Sequence, residues 1–307
     1  MLSELLAKTA TRLPGETPAL DAQVLMAHIL GQNRTWVLAH PEARLTAPQE
    51  AALEAAIHQL ADGLPLPYLL GRREFFGLDF EVTPDVLIPR PETELLVETA
   101  LHWIRGHATG EQGFLTGEGL WEPAHRFLDI GTGSGCIAVS LAVHSPDARI
   151  TATDISAQAL QVARRNAERN GVQARIDFVE CDLLPETMDD GSQAIKADGV
   201  MPTDLWSNVD LIVANLPYIP SKTLKELAVY QHEPALALDG GTDGLALIRR
   251  LLERLMGKME AGRLILLEIE AGQGRAAQAL AEAAFPAAAV EVRKDLAGLD
   301  RLVMIET

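Results

Sequence analysis

Cysteine is almost missing from the 307 residues, with Cys136 and Cys181 alone. Two thiols cannot build a disulfide framework, and reduced cysteines in a cytosol are the economical reading. Basic residues are also scarce, Lys+Arg 26 against Asp+Glu 43, for a net charge of −17. Phosphate contacts supply much of nucleic-acid affinity, so such a chain is a poor candidate for gripping a long duplex. No run of Lys or Arg offers a local basic patch. Nor does any stretch approach the roughly 20 uninterrupted apolar residues of a membrane helix. The opening MLSELLAKTATRLPGE carries a charge every few positions and no apolar core, so no secretory signal is expected. None of the eight histidines stands in an H-x-x-x-H or similar pair, and no metal is expected. These absences lead us to expect a cytoplasmic protein acting on a small molecule or a protein. No membrane association and no stable nucleic-acid binding are expected. Nothing demands a dimer, and a monomer is expected.

What is present is ordinary for a globular chain, 48% hydrophobic and 22% charged. The length exceeds one typical compact domain, so a core domain with a smaller companion is the natural expectation. Residues 1–75 carry helical periodicity. The segment from Pro18 to Gly31 opens on proline and closes on glycine, and Thr46 with Gln49 forms a capping-box pair before a second helix that stops near Gly63. Residues 76–90 form a linker: alternation around Phe75–Val82 predicts a hairpin, and Pro84, Pro89 and Pro91 punctuate the stretch after it. Residues 91–307 form the larger domain. Strands are expected at 126–130, 149–154, 176–180, 209–215 and 263–269, with helices between them, for example 157–170 and 244–259. A final antiparallel pair, 289–293 and 301–306, is expected at the sheet edge. Apolar strands alternating with amphipathic helices predict an α/β, doubly wound, mostly parallel sheet. Segments 106–125 and 189–207 have the texture of surface insertions.

The first of these strands runs into Gly131-Thr132-Gly133-Ser134-Gly135, with Asp129 two residues before the first glycine. A glycine-rich turn between strand and helix lets backbone N–H groups approach a ligand closely. The next strand ends at Asp154, where an acid can accept from both hydroxyls of a ribose, and the following one ends near Asp182, placed to accept from an adenine amino group. Each piece alone has an ordinary explanation, a tight turn or a helix cap, and Asp182 suits a cap as well as a ligand. In order at successive strand ends, they favour S-adenosylmethionine over a dinucleotide, since the third dinucleotide glycine is here Cys136. Neither cysteine has a histidine placed to activate it, so both are expected to be packing residues.

The fourth strand ends at Asn215-Leu216-Pro217-Tyr218. Methyltransferases acting on planar nitrogen carry an N-P-P-Y-type sequence there. An amide or exocyclic amine is a poor nucleophile because its lone pair is delocalised. The Asn215 side-chain oxygen and the Leu216 carbonyl can each accept one N–H of an –NH₂ group, aligning the nitrogen and stabilising the charge that develops on it. Tyr218 offers a flat face to a planar acceptor. No strong base is needed before transfer.

Beyond these motifs, nearly the whole chain resembles the PrmC/HemK family, the protein-(glutamine-N5) methyltransferases of class-1 peptide-chain release factors. The resemblance lies in Pro67–Gly71, Glu74–Gly77 and Val82–Glu94, in Asp129–Gly135, in Glu233–Gly241 with Asp243–Leu245, and in Glu268–Gln273 and Asp295–Arg301. The resemblance implies a Rossmann-like class I S-adenosylmethionine-dependent methyltransferase: a mostly parallel seven-stranded sheet with a C-terminal antiparallel hairpin, preceded by a small α-helical substrate-recognition domain. It implies a cofactor site of Asp129, Gly131, Thr132, Gly133, Ser134, Gly135, Asp154, Asp182, Leu183 and Asn215, with S-adenosylhomocysteine as product. It implies that Asn215, Leu216, Pro217 and Tyr218 hold the glutamine of the release factor's Gly-Gly-Gln loop. Leu216 departs from the family's usual proline, which lowers backbone rigidity there. Arg90 is undecided between the cofactor and the glutamates just after it.

The runner-up is an N6-adenine methyltransferase acting on ribosomal RNA or DNA, because Asn-Leu-Pro-Tyr also occurs in the ribosomal-RNA adenine dimethylases. Those enzymes carry their small helical domain after the catalytic one and lack the Pro89–Glu94 signature. A binding scaffold that has lost catalysis would show decay of the glycine loop or acceptor motif, and both stand here apart from Leu216.

Overall fold

The computed structural model describes residues 1–107, 125–185, 195–196, 199–200 and 209–307. Most of segments 106–125 and 189–207 lies outside the described residues. The chain divides into two compact units, Met1–Arg73 with Val82–Pro84, and Glu74–Glu81 with Asp85–Thr307.

The first unit is helical: α1 (Leu2–Ala10), α2 (Pro18–Leu30), α3 (Arg34–Ala39), α4 (Ala47–Ala61) and α5 (Leu66–Leu70). Helix α2 starts on Pro18 and stops at Gly31, whose φ of 63° ends it in the left-handed region. Helix α4 has the expected capping box, with the Thr46 amide donating to Gln49 Oε1 at 2.9 Å. Leu2, Leu25, Met26, Val37, Leu53 and Ile57 fill the core between these helices.

Strands β1 (Arg72–Phe75) and β2 (Leu78–Glu81) make the expected hairpin. Its two turn residues, Phe76 and Gly77, have φ of 52° and 74°, the left-handed pair that a primed two-residue turn requires. A short 3₁₀ turn, Pro91–Thr93, leads into α6 (Glu94–His107).

The larger unit then alternates β3 (His125–Ile130), α7 (Cys136–His144), β4 (Ala148–Asp154), α8 (Ala157–Arg169) and β5 (Ile176–Glu180). A two-residue pair, β6 (Ile195–Lys196) and β7 (Gly199–Val200), falls within the second segment that had the texture of an insertion. Next come β8 (Leu211–Ala214), α9 (Ser221–Leu224), α10 (Ala246–Leu255), β9 (Leu264–Glu268), α11 (Gly274–Ala284), β10 (Ala289–Lys294) and β11 (Asp300–Glu306). Seven strands form one sheet in the order β10-β11-β9-β8-β3-β4-β5. The five from β9 to β5 are parallel, while β11 runs antiparallel to both β9 and β10. The class I methyltransferase fold expected from the sequence is therefore present. The expected antiparallel pair lies at the sheet edge, with β11 against β9 and β10 outermost.

Alternate strand residues face opposite layers. Phe127, Ile150, Phe178 and Leu211 pack against α6, α7 and α8. Leu128, Ile212, Ile265 and Val303 pack against α10 and α11. Helix α10 is shorter than the periodicity of 244–259 suggests. Gly244 at φ 75° precedes it and Gly257 at φ 72° comes after it, and both conformations break a helix.

Candidate active site

The sheet order reverses at one point: β4 and β5 follow β3 to one side, while β8 and β9 lie on the other. A ligand crevice forms outside the carboxyl ends of the strands at such a reversal. The glycine turn leaves β3 and the Asn215–Tyr218 turn leaves β8 side by side at this place. A cavity of about 280 Å³ opens here, bordered by Gly131, Gly133, Ser134, Asp154, Leu183 and Asn215 among others. A second of about 160 Å³ adjoins it, bordered by Asn215, Leu216, Pro217 and Tyr218. Asn215, Leu216 and Pro217 border both, together with Leu87, Arg90 and Ala237.

Not every residue of the glycine turn faces the cavity. Asp129 is fully buried beneath the turn, its Oδ2 accepting from Thr132 Oγ1 at 2.7 Å and from the Ala138 amide at 3.1 Å. Thr132 is held by that bond and does not border the larger cavity. Gly135 backs onto α8, where a Cβ would stand 3.0 Å from Ala163 Cβ, so its role is close helix approach. Asp129 Oδ1 has no partner among the described residues. Burial pushes this carboxyl up to about 7, against the pull of its two hydrogen bonds.

Linkage gives the sign of the consequence. An unfolded aspartate titrates near about 3.9. The folded form holds the proton more tightly, so this contribution to stability is complete at low pH and is lost as pH rises through about 7. We expect the unliganded protein to lose about 2–3 kcal/mol from this group between pH 5 and pH 8. Urea unfolding at both pH values should show that loss reduced by a similar amount in Asp129→Asn. An unchanged pH dependence would remove the buried charge as its source.

Asp154 takes two backbone donors, Gly133 N on Oδ2 and Ser156 N on Oδ1, each at 2.9 Å. It thereby ties the glycine turn to the start of α8, and burial raises its pKa. Asp182 also borders the cavity, but its carboxylate is paired with Arg250 of α10. Leu183 adopts φ 63°, rare for a branched residue, with its carbonyl accepting from Thr153 Oγ1 at 2.8 Å. Cys136 is buried and Cys181 half-buried, and burial pushes their thiols up to about 12 and about 11. Neither forms a thiolate nucleophile near neutral pH, in keeping with the packing role expected.

Where the two cavities meet, Asn215 Nδ2 donates to Thr93 Oγ1 at 3.0 Å. Leu216 is buried within the core on the α10 and α11 side of the sheet, and its amide donates to nothing among the described residues. A proline at 216 would therefore forfeit no hydrogen bond. The Tyr218 carbonyl accepts from Gln273 Nε2 at 2.9 Å, and its hydroxyl lies 3.5 Å from Glu268 Oε1. Burial and the neighbouring Glu268 raise the phenol's pKa, so it stays protonated. Gly244 allows this packing: a Cβ there would stand 2.2 Å from the Tyr218 carbonyl oxygen and 2.4 Å from Gln273 Nε2. We expect Gly244→Ala to cost roughly 1–3 kcal/mol, a drop in Tm of several degrees, and to impair transfer more than donor affinity. Unaltered melting and kinetics would show that the turn yields freely.

Arg90 pairs with neither Glu92 nor Glu94. Its Nη2 meets Glu233 Oε1 at 2.6 Å, and Glu233 Oε2 accepts the Ile88 amide at 3.2 Å. Glu233 is buried, so this pair pins the two segments that border both cavities.

Comparison with known proteins decides the family. Residues 4–71 match the PrmC N-terminal domain, and residues 117–197 match the Methyltransferase small domain. A protein of Bordetella pertussis named "Release factor glutamine methyltransferase" is 42% identical over 98% of this chain and 97% of its own length. Relatives of the same name from Moorella thermoacetica and Bacillus anthracis are 39% and 35% identical, over 93% and 92% of this chain and 90% and 91% of their own lengths. The chain belongs to the release factor glutamine methyltransferase family. The hMettl16 catalytic domain, solved in complex with MAT2A 3′UTR hairpin 6, superposes with a TM-score of 0.51 at 15% identity, covering 85% of this chain and 82% of that one. That likeness shows a shared fold. For a release factor glutamine methyltransferase, the residues that motif reading missed at the site are Thr93, Glu233, Arg250 and Glu268. Only Glu268 carries a local signal: an acid closing the otherwise apolar, fully buried strand Leu264–Glu268.

Proposed function

We propose that this chain transfers a methyl group from S-adenosylmethionine to the side-chain amide nitrogen, N5, of the glutamine in the Gly-Gly-Gln loop of class-1 release factors. The observation that carries the reading is Asn215 at the junction of the two cavities, its amide nitrogen already engaged by Thr93 and its oxygen left for a substrate N–H.

The larger cavity suits an adenosine-type donor. Each oxygen of Asp154 accepts one backbone N–H and retains capacity for a ribose hydroxyl. The Leu183 amide, at the cavity wall, donates to nothing among the described residues. Ile155 and Leu236 add apolar surface for a flat base. Gly131, Gly133, Ser134, Asp154, Leu183 and Asn215 would hold the donor, while Asp129, Thr132 and Gly135 shape the turn. S-adenosylmethionine supplies an electrophilic methyl group on a positively charged sulfur.

The remaining chemistry belongs to the chain. Asn215 Oδ1 and the Leu216 carbonyl accept the two N–H bonds of the glutamine amide and hold its nitrogen in line. Both oxygens face positive charge as it grows on that nitrogen. Tyr218, kept as a neutral phenol, lies along the smaller cavity and offers its ring to the planar amide. Proton loss follows transfer. The helical unit at residues 4–71, matching the PrmC N-terminal domain, is assigned to gripping the release factor.

The test is methyl transfer from labelled S-adenosylmethionine to purified release factor and small-subunit ribosomal RNA in parallel. Label mapped by mass spectrometry to the Gly-Gly-Gln glutamine is expected. Label on RNA alone would reverse the assignment.

A further inference from the structure

The charged residues bordering the larger cavity are Asp85, Asp154, Asp182, Arg90 and Arg250. Neither arginine brings an unmatched positive charge to it. Arg250 is paired with Asp182, and Arg90 Nη2 meets Glu233 Oε1 at 2.6 Å. Arg90 has the greater reach, because it borders the smaller cavity too and is the one charged residue there among the described residues. Its guanidinium is about one-third exposed, whereas the Glu233 side chain is 3% exposed and borders neither cavity. The other Glu233 oxygen, Oε2, accepts the Ile88 amide at 3.2 Å. A neutral acceptor would serve that amide without the cost of burying a charge. What the carboxylate adds is a negative charge fixed against Arg90.

We infer that Glu233 is the counter-charge that keeps Arg90 from repelling a cationic methyl donor, and that it thereby sets the preference between S-adenosylmethionine and S-adenosylhomocysteine. The inference rests on the proposed reading of the larger cavity as the donor site. The donor carries a positive charge on sulfur, and the product has lost that charge with the methyl group. In other respects the two ligands offer the chain the same groups. Glu233 acts through Arg90, so it is a positioning residue.

On that reading the methyl group passes from the larger cavity to the smaller, and positive charge passes with it from sulfur to the acceptor nitrogen. Arg90 borders both ends of this path. A bare guanidinium would oppose the charge throughout, whereas the Arg90–Glu233 pair is neutral in sum. The pair also ties the wall at Leu87–Arg90 to the wall at Pro234–Ala237, so it holds the junction together without charging it. Removing either partner alone would leave one unmatched charge beside the path.

The test is calorimetry of the full chain at pH 7.5 with S-adenosylmethionine and S-adenosylhomocysteine, each at low and high salt. Glu233→Gln keeps the shape and an acceptor for the Ile88 amide but removes the charge. We expect it to weaken S-adenosylmethionine about 5–20-fold at low salt, with S-adenosylhomocysteine changed less than about threefold. The difference should narrow at high salt, which screens a partly exposed charge. The double variant Arg90→Gln/Glu233→Gln is neutral again and should bring the ratio of the two affinities back to within about twofold of wild type, even where both ligands bind less tightly. A pair that matters for shape alone predicts the reverse: both ligands weakened together in Glu233→Gln, and more so in the double variant. That result, or an unchanged ratio in a folded Glu233→Gln protein, would overturn the inference. Should Glu233→Gln fail to fold, Arg90→Gln decides. It leaves the negative charge without its cation and should shift the ratio the other way, toward S-adenosylmethionine, and an unshifted ratio there would overturn the inference equally. If release factor is not methylated but the ratios move as expected, the proposed acceptor falls and this inference stands. Wild-type protein that binds neither ligand would overturn both.

Discussion

Replacing Asn215 by alanine is expected to lower methyl transfer to release factor by at least about 10³-fold. Removing one preorganised group that meets developing charge costs about 10²–10³ in kcat. On the proposed reading the same side chain also aligns the nitrogen, an effect sensitive to displacements of about 1 Å. The Leu216 carbonyl remains in the variant, but a single acceptor leaves the amide free to rotate. Because Asn215 also borders the donor cavity, affinity for S-adenosylhomocysteine should fall by no more than about tenfold. Calorimetry beside single-turnover kinetics separates the two quantities. Near-normal turnover in the variant would remove Asn215 from the acceptor role.

The second large effect is expected on the donor side. Asp154→Ala should weaken binding of S-adenosylmethionine and its product by about 10²–10⁴-fold, the range for two hydrogen bonds to a charged group at about 1.5–3 kcal/mol each. The carboxylate also anchors Gly133 N and Ser156 N, so melting curves are needed to exclude a collapsed turn. Asp154→Asn keeps one acceptor and should fall between the two. Unchanged affinity in a folded Asp154→Ala protein would take Asp154 out of the donor site.

How much of this was legible in the sequence depended on whether a feature is local. The capping box at Thr46 and Gln49, the helix stop at Gly31 and the strands around 126–130 and 176–180 follow from neighbours within a few positions, and the structure has them. The glycine turn and Asn215 were visible for the same reason: each sits where one strand ends. What was hidden depends on residues brought together only by the sheet. Arg90 meets Glu233 rather than the glutamates beside it, because the buried Glu233 already holds the Ile88 amide. Thr93 looks like an ordinary first-turn residue until Asn215, at the end of a distant strand, donates to its hydroxyl. Asp182 illustrates the converse. Its position at a strand end suggests a ligand, yet an arginine one helix and several strands later occupies its carboxylate.

The reversal of strand order has a consequence for how the molecule comes into being. Strand β3 pairs with β4, its immediate successor, and also with β8, which is made much later. Contacts between distant parts of a chain form late in folding, because a long loop must close first. Pairing of β3 with β4 closes a short loop, whereas pairing with β8 closes a long one. Asn215 comes to stand beside the glycine turn and Asp154 only through that distant pairing, so the junction of the two cavities depends on the costlier of the two closures.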